Sequence, residues 1–338
     1  MYYNVESINL KSKYETEEVK KFLEGFNLKY EDVDYTVVIR ENEEIIATCS
    51  KKENILKCFA INENYQGLGL SNNLISKVTE QLFLERKYHS FIFTKPENQF
   101  LFEGLGYKNI FTTDKVSLLE SGNKNINSTL DKLKKEYNID DSKEYAALVM
   151  NCNPFTLGHR YIVETASKEN ENVIIFVVEE DKSVFPFKTR YRLIKEGTKD
   201  LKNVTVIPAG EYVISSATFP NYFLKKNDDA LKEYTKLDCN VFGKYFVPKF
   251  NIKRRYVGTE PHCEVTNTYN ESMIEILPKY NVEVKLIERK EIEDDAISAS
   301  RVRKLLKEGK MEKVRNLLPK PSFDFLLSKE GEMVINEL

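Results

Sequence analysis

The sequence predicts an α/β protein of two domains: an α+β domain built on an antiparallel meander, then a parallel-sheet domain. Three observations carry that expectation. The 338 residues exceed what one hydrophobic core usually serves. Short β-rich runs cluster early, whereas the later chain alternates strand-like and helical segments. Between them, 121–143 is rich in Ser, Asn, Lys and Asp, which places the domains at 1–120 and 144–338 about a linker.

In the first domain, 35–40, 44–49 and 55–61 are β-rich and separated by polar turns. Leu70, Leu74, Ile75, Val78, Leu82 and Phe83 then recur at helical spacing. Strand character returns at 90–94, a second helix spans 98–105 with Gly106 as its stop, and 107–111 and 116–120 close the unit. In the linker, Leu130, Leu133 and Tyr137 predict a short helix. Beyond it, 145–150, 172–178, 204–207, 255–258 and 282–287 read as strands separated by helices. The uninterrupted apolar run 173–178 suits a parallel sheet covered on both faces.

Composition narrows the function classes. With 41% hydrophobic and 31% charged residues, both domains can build cores. The 51 basic and 53 acidic residues leave a net charge of −2, which gives no general reason to bind nucleic acid or an anionic membrane. Cys49, Cys58, Cys152, Cys239 and Cys263 are odd in number and lack metal-ligand spacing, against a disulfide framework or a zinc site. Residues 1–11 lack a basic-then-apolar pattern and no 18-residue apolar window occurs, so the expectation is a cytoplasmic protein.

The stretch Asn151-Cys152-Asn153-Pro154-Phe155-Thr156-Leu157-Gly158-His159 lies where the first parallel strand ends and a helix begins, the place where open α/β sheets bind ligands. Gly158 is expected to let a phosphate approach the backbone, while Thr156 and His159 can donate to its oxygens beside the helix N-terminus. An imidazole there can stabilise charge on an α-phosphate as pyrophosphate leaves. The plainer reading is a strand-to-helix turn with a capping Thr and a structural His. Far along the chain, Ile297-Ser298-Ala299-Ser300-Arg301-Val302-Arg303 opens another helix. Its serines can cap that helix, or with Arg301 receive the terminal phosphates of a nucleoside triphosphate.

Lys188, Arg190 and Arg192 begin the helix after the second strand, where cations can neutralise a leaving pyrophosphate or form a solvated face. Gly258-Thr259-Glu260-Pro261 is either a ribose or adenine contact or a tight turn. The segment 210–216 with Thr218 and Phe219 follows the third strand and is expected to line a carboxylate pocket. His262 and Cys263 receive no role, His89 is expected at the surface, and Cys152 as a small filler.

These strings carry a resemblance. Thr156-Leu157-Gly158-His159 with 297–303 resembles the T/HxGH and ISxSxxR signatures of the nucleotidyltransferase superfamily. The longer 153–161 and Phe185-Pro186-Phe187-Lys188-Thr189-Arg190-Tyr191-Arg192 resemble the citrate lyase ligase family across the whole chain. Gln66-Gly67-Leu68-Gly69-Leu70-Ser71 is similar to the pyrophosphate loop of the GNAT acetyltransferases, with Ser71 in place of the final Gly or Ala. No general base stands out beyond Glu63.

The resemblance implies an acetyltransferase-like α+β domain followed by a Rossmann-like nucleotidyltransferase domain. It implies ATP and Mg²⁺, with acetate activated as acetyl-adenylate and passed to the phosphoribosyl-dephospho-CoA thiol on the citrate lyase carrier subunit. His159 and Thr156 would act on the α-phosphate, with Asn153, Pro154, Phe155 and Gly158 forming the loop. Lys188, Arg192, Ser298, Ser300 and Arg301 would hold the other phosphates, Gly258 and Glu260 the nucleoside, and Gln66, Gly67, Gly69 and Ser71 a CoA-like group, without protein metal ligands. The competing readings are transfer of AMP to a phosphorylated metabolite such as phosphopantetheine, and a noncatalytic binding module.

Overall fold

The computed structural model describes residues 3–30, 32–180, 183–215, 227–259, 264–292 and 295–338. Two compact units share the chain: Met1–Ile126 with Phe219–Leu237, and Asn127–Thr218 with Asp238–Leu338. The second stretch of the first unit had no counterpart in the sequence reading.

In the first unit β1 (Val5–Ser7) and α1 (Lys13–Glu24) precede the expected meander of β2 (Tyr35–Glu41), β3 (Glu44–Lys52) and β4 (Ile55–Ile61). Helix α1 starts where the Ser12 hydroxyl accepts from Glu15 N–H, and buries Val19 and Leu23, four apart on one face. Then follow α2 (Leu70–Leu84), β5 (His89–Thr94), α3 (Gln99–Glu103), β6 (Lys108–Thr112) and β7 (Ser117–Gly122). The sheet order is β1-β2-β3-β4-β5-β7-β6. Its one parallel pair, β4 with β5, holds register only at Ile55 with Phe91 and Leu56 with Ile92. Every residue of β5 is buried. His89 is therefore not a surface residue: an inner strand of a sheet covered on both faces has no exposed position, and its Nε2 lies 2.9 Å from Glu120 Oε2.

Residues expected as a linker finish β7 and form α4 (Ile126–Glu136), which packs within the second unit: Lys249 Nζ bonds Asp131 Oδ1 at 2.6 Å. That unit continues with β8 (Tyr145–Met150), α5 (Leu157–Glu169), β9 (Val173–Val177), α6 (Phe187–Gly197) and β10 (Val204–Pro208). Helix α7 (Asn227–Val241), which belongs to the first unit as far as Leu237 and to the second from Asp238, runs through a π-helical turn, Phe242–Phe246, into α8 (Val247–Lys249). After β11 (Ile252–Gly258), α9 (Glu264–Ile276) and β12 (Glu283–Ile287) come the short β13 (Glu291–Ile292) and β14 (Asp295–Ala296) and helices α10 (Ala299–Lys307), α11 (Met311–Arg315), α12 (Lys320–Leu326) and α13 (Lys329–Asn336).

Strands β10-β9-β8-β11-β12 form the expected parallel sheet. One face packs Leu148, Ile175, Val177 and Tyr256 with Val163, Val302 and Phe325. On Phe176 of β9 three rings, Phe242, Phe246 and Phe250, close edge-on at 5.2–6.0 Å. With β8 central, the ends of β8 and β11 meet at the sheet's C-terminal edge. Among the described residues no helix is long and apolar enough to cross a membrane.

Candidate active site

The loop after β8 is held from below by a buried cation. Arg190 is fully buried and donates to four backbone carbonyls: Asn151 at 2.9 Å, Val178 at 2.7 Å, Glu180 at 3.0 Å and Phe185 at 2.9 Å. Its charge is thus engaged in fixing the segments after β8 and β9, not offered to a phosphate. Asn153 Oδ1 accepts from Phe185 N–H at 3.0 Å, the Asn153–Pro154 peptide is cis, and Pro154 and Phe155 are buried. Cys152 is a buried filler whose thiol is pushed up by burial.

Thr156 caps α5: its Oγ1 accepts from His159 N–H at 3.3 Å. His159 returns the bond, its Nδ1 accepting from Thr156 N–H at 3.1 Å and lying 2.9 Å from Thr156 Oγ1. Accepting at Nδ1 assigns the proton of the neutral ring to Nε2. Desolvation, with the Arg289 guanidinium adding, lowers the His159 pKa to about 4. At neutral pH the ring is therefore an uncharged donor through Nε2, held by the cap and stacked on Phe155 at 6.0 Å between centroids.

The second motif arrives at the same turn. Ser298 Oγ caps α10 by accepting from Arg301 N–H at 3.1 Å. A Cβ on Gly158 would lie 2.5 Å from the Ile297 carbonyl oxygen. The glycine is required by this contact between the motifs, a reason other than the close approach of a phosphate expected from the sequence. Arg303 joins them from the other side, donating from Nη1 to the Asn153 carbonyl and from Nη2 to Ser300 Oγ at 3.3 Å.

Two residues were missed. Arg303 reaches the loop, whereas Arg301 donates from Nη1 to the Ile292 carbonyl at 3.1 Å. The signal was present: in the ISxSxxR signature as it lies on 297–303 the final Arg falls on Arg303, not Arg301. Arg289, whose Nε donates to the Thr259 carbonyl at 2.6 Å, is felt by His159, and no motif pointed to it.

The remaining candidates divide. Lys188 is exposed at the start of α6. Arg192 turns to the C-terminal helices, bonding Glu330 at 3.0 Å over the Phe325 ring at 5.6 Å, and is not gathered with His159 and Arg303. Gly258 ends β11, its carbonyl accepting from Asn270 Nδ2 at 3.0 Å. Glu260, Pro261, His262 and Cys263, and Ser216, Thr218 and Phe219, lie outside the described residues.

In the first unit the divergence of β4 and β5 opens a cleft of 670 Å³, which Gln66, Gly67, Gly69 and Ser71 all line. Gly67 and Gly69 adopt φ of +80° and +78°, and Gly69 is the N-cap of α2, so the loop presents backbone at a helix start. No Asp, Glu or His lines this cleft among the described residues, and Glu63 is not part of it.

A family model for the citrate lyase ligase C-terminal domain matches residues 145–326. The "[Citrate [pro-3S]-lyase] ligase" of Escherichia coli (strain K12) is 34% identical over 91% of this chain and 89% of its own length. Its namesake in Haemophilus influenzae is 35% identical over 91% and 94%, respectively. The chain belongs to the citrate lyase ligase family. Members of this family are enzymes of the ligase class. Among solved structures, a GNAT-family acetyltransferase from Staphylococcus aureus matches 36% of this chain and 100% of its own at 14% identity and a TM-score of 0.31. The ribosomal-protein-S18-alanine N-acetyltransferase of Escherichia coli matches 36% and 94% at 14% and 0.29. At those scores the likeness adds nothing to the sheet order described above.

Proposed function

We propose that this ligase activates acetate with ATP and transfers the acetyl group to the prosthetic-group thiol of the citrate lyase carrier subunit, switching citrate lyase on. The observation that carries the reading is the junction of the two motifs, where neutral His159, Arg303 and the capped start of α10 share one turn. An acetate oxygen attacks the α-phosphorus and the bond to the β-phosphate bridging oxygen breaks, giving acetyl-adenylate and pyrophosphate. The thiol of the phosphoribosyl-dephospho-CoA group then attacks the acyl carbon, loses its proton and displaces AMP.

His159 Nε2–H donates to the α-phosphate as charge builds there, and needs no proton transfer. Arg303 and the N-terminus of α10, with Ser300, take the β- and γ-phosphates. Thr156 holds the imidazole, and Gly258 sits under the nucleoside. Among the described residues no group of three or more His, Cys, Asp or Glu could hold a metal ion, so Mg²⁺ would be carried on the nucleotide's own oxygens and screen their charge. The cleft of the first unit takes the CoA-like group: it offers a backbone cradle and, among the described residues, no Asp, Glu or His to act as general base for a second acyl transfer.

The test supplies ATP, Mg²⁺, labelled acetate and deacetylated citrate lyase. Label on the carrier with matching AMP supports the reading. AMP transferred to phosphopantetheine, without labelled carrier, favours the metabolite nucleotidyltransferase. Ser71→Trp, which fills the cleft, separates the halves: transfer to carrier falls while adenylate formation continues.

A further inference from the structure

Beneath the same sheet edge lies a charge that the site above does not use. Arg255 is in the middle of β11, 3% exposed, with its guanidinium 4.6 Å from the centroid of the Phe242 ring. Asp238, a neighbouring buried carboxylate, accepts at Oδ1 from Ile214 N–H at 2.7 Å and at Oδ2 from the Tyr269 hydroxyl, while its charge also acts on Arg255. Among the described residues, Arg255 Nε and Nη1 have no hydrogen-bond partner. Asn270 Oδ1 is likewise buried and without one, although Asn270 Nδ2 holds the Gly258 carbonyl.

Arg190, equally buried, shows what a structural arginine in this fold looks like, with four carbonyls around it. A buried guanidinium that lacks acceptors is strongly destabilising unless a guest supplies them. Its place is informative. Three residues further along β11, Gly258 ends the strand beside the proposed nucleoside position. Asp238 ties Ile214, in the segment after β10, to α9.

We infer that Arg255 binds the carboxylate of the acid substrate, a short monocarboxylate whose anion accepts from the unpaired guanidinium donors. A carboxylate suits the planar donor array of arginine, and the Phe242 ring beside it suits a short alkyl end rather than a second charge. Arg255 is thus a substrate-binding residue for the acid. This deepens the reading given under the proposed function and rests on it.

The test compares the full-length wild-type chain with Arg255→Met and Arg255→Lys. In acetate-free buffer the midpoints of the wild type, Arg255→Met and Arg255→Lys give the baseline for each chain. Sodium acetate, against sodium chloride at equal ionic strength and without nucleotide, should raise the wild-type midpoint and not that of Arg255→Met. In ATP–pyrophosphate exchange, KM for acetate should rise about 10- to 100-fold in Arg255→Met, and less in Arg255→Lys, with KM for ATP unchanged.

Absence of any acetate-induced shift in the wild-type chain would overturn the inference. So would an acetate-induced shift that survives in Arg255→Met, which would leave Arg255 facing buried water only. If Arg255→Met does not fold, an unchanged acetate KM in Arg255→Lys would be equally adverse. Absence of acetate-dependent exchange in wild type, with the acetate shift present there and lost in Arg255→Met, would reject the proposed reaction and leave the carboxylate site standing.

Discussion

Each unit presents a glycine-bearing turn between a strand and a helix, and the two turns solve different problems. At Gln66–Ser71, Gly67 and Gly69 take left-handed conformations, and a Cβ on either would meet nothing within 4 Å. At Thr156–His159, Gly158 has no unusual φ, but a Cβ there would strike the Ile297 carbonyl at 2.5 Å. The first turn is an open cradle of backbone N–H groups. The second is a packed junction, whose glycine brings a distant helix start against the capping box. Glycine supplies conformational freedom in one place and proximity in the other, so similar residues in sequence predict different failures when replaced.

The largest effect is expected at the chemistry of the packed turn. His159→Ala should lower ATP–pyrophosphate exchange by roughly 10²–10³, the scale of losing one preorganised donor, with the fold intact. Near-wild-type exchange would remove His159 from the mechanism. Gly158→Ala should cost about 1–3 kcal/mol in urea unfolding and abolish exchange together with stability, since the added methyl must push Ile297 and Ser298 away. A stable, active Gly158→Ala would show that the junction is not tight.

Arg303→Lys retains charge but cannot reach Asn153 and Ser300 together, so KM for ATP should rise roughly tenfold. Arg301→Lys should change it much less. Equal effects would undo the distinction drawn between the two.

The pH dependence isolates His159. Its folded pKa of about 4 lies below the ordinary 6.5, so between these values the unfolded chain binds a proton that the native ring does not. This group's contribution to stability is therefore complete above pH 6.5 and declines as pH falls towards 4. Ring ¹⁵N shifts should report the Nε2–H form down to about pH 5, whereas a midpoint near 6.5 would place the ring in water. The smallest effect belongs to the open turn. Gly67→Ala should cost about 1 kcal/mol from backbone strain alone and leave exchange untouched while weakening use of the carrier.

Much of this was legible in the sequence, for identifiable reasons. The apolar run at 173–178 could only be an inner strand, and the two motifs each announced a helix start. What was hidden depends on direction and on distant partners. Arg192 carries the same charge as Arg190, yet one pairs with Glu330 and the other is buried under the loop. Helix α1 was missed because its apolar face is little more than Val19 and Leu23 amid charged residues, and His89 was placed outside because residue type outweighed the position of its strand.

The most direct test of the central claim, that the packed turn forms an adenylate from ATP and acetate, is exchange of labelled pyrophosphate into ATP with acetate present and no carrier. The account predicts exchange that depends on acetate, is weaker with propionate, and is lost in His159→Ala. No acetate-dependent exchange, either alone or after addition of deacetylated citrate lyase, would contradict it.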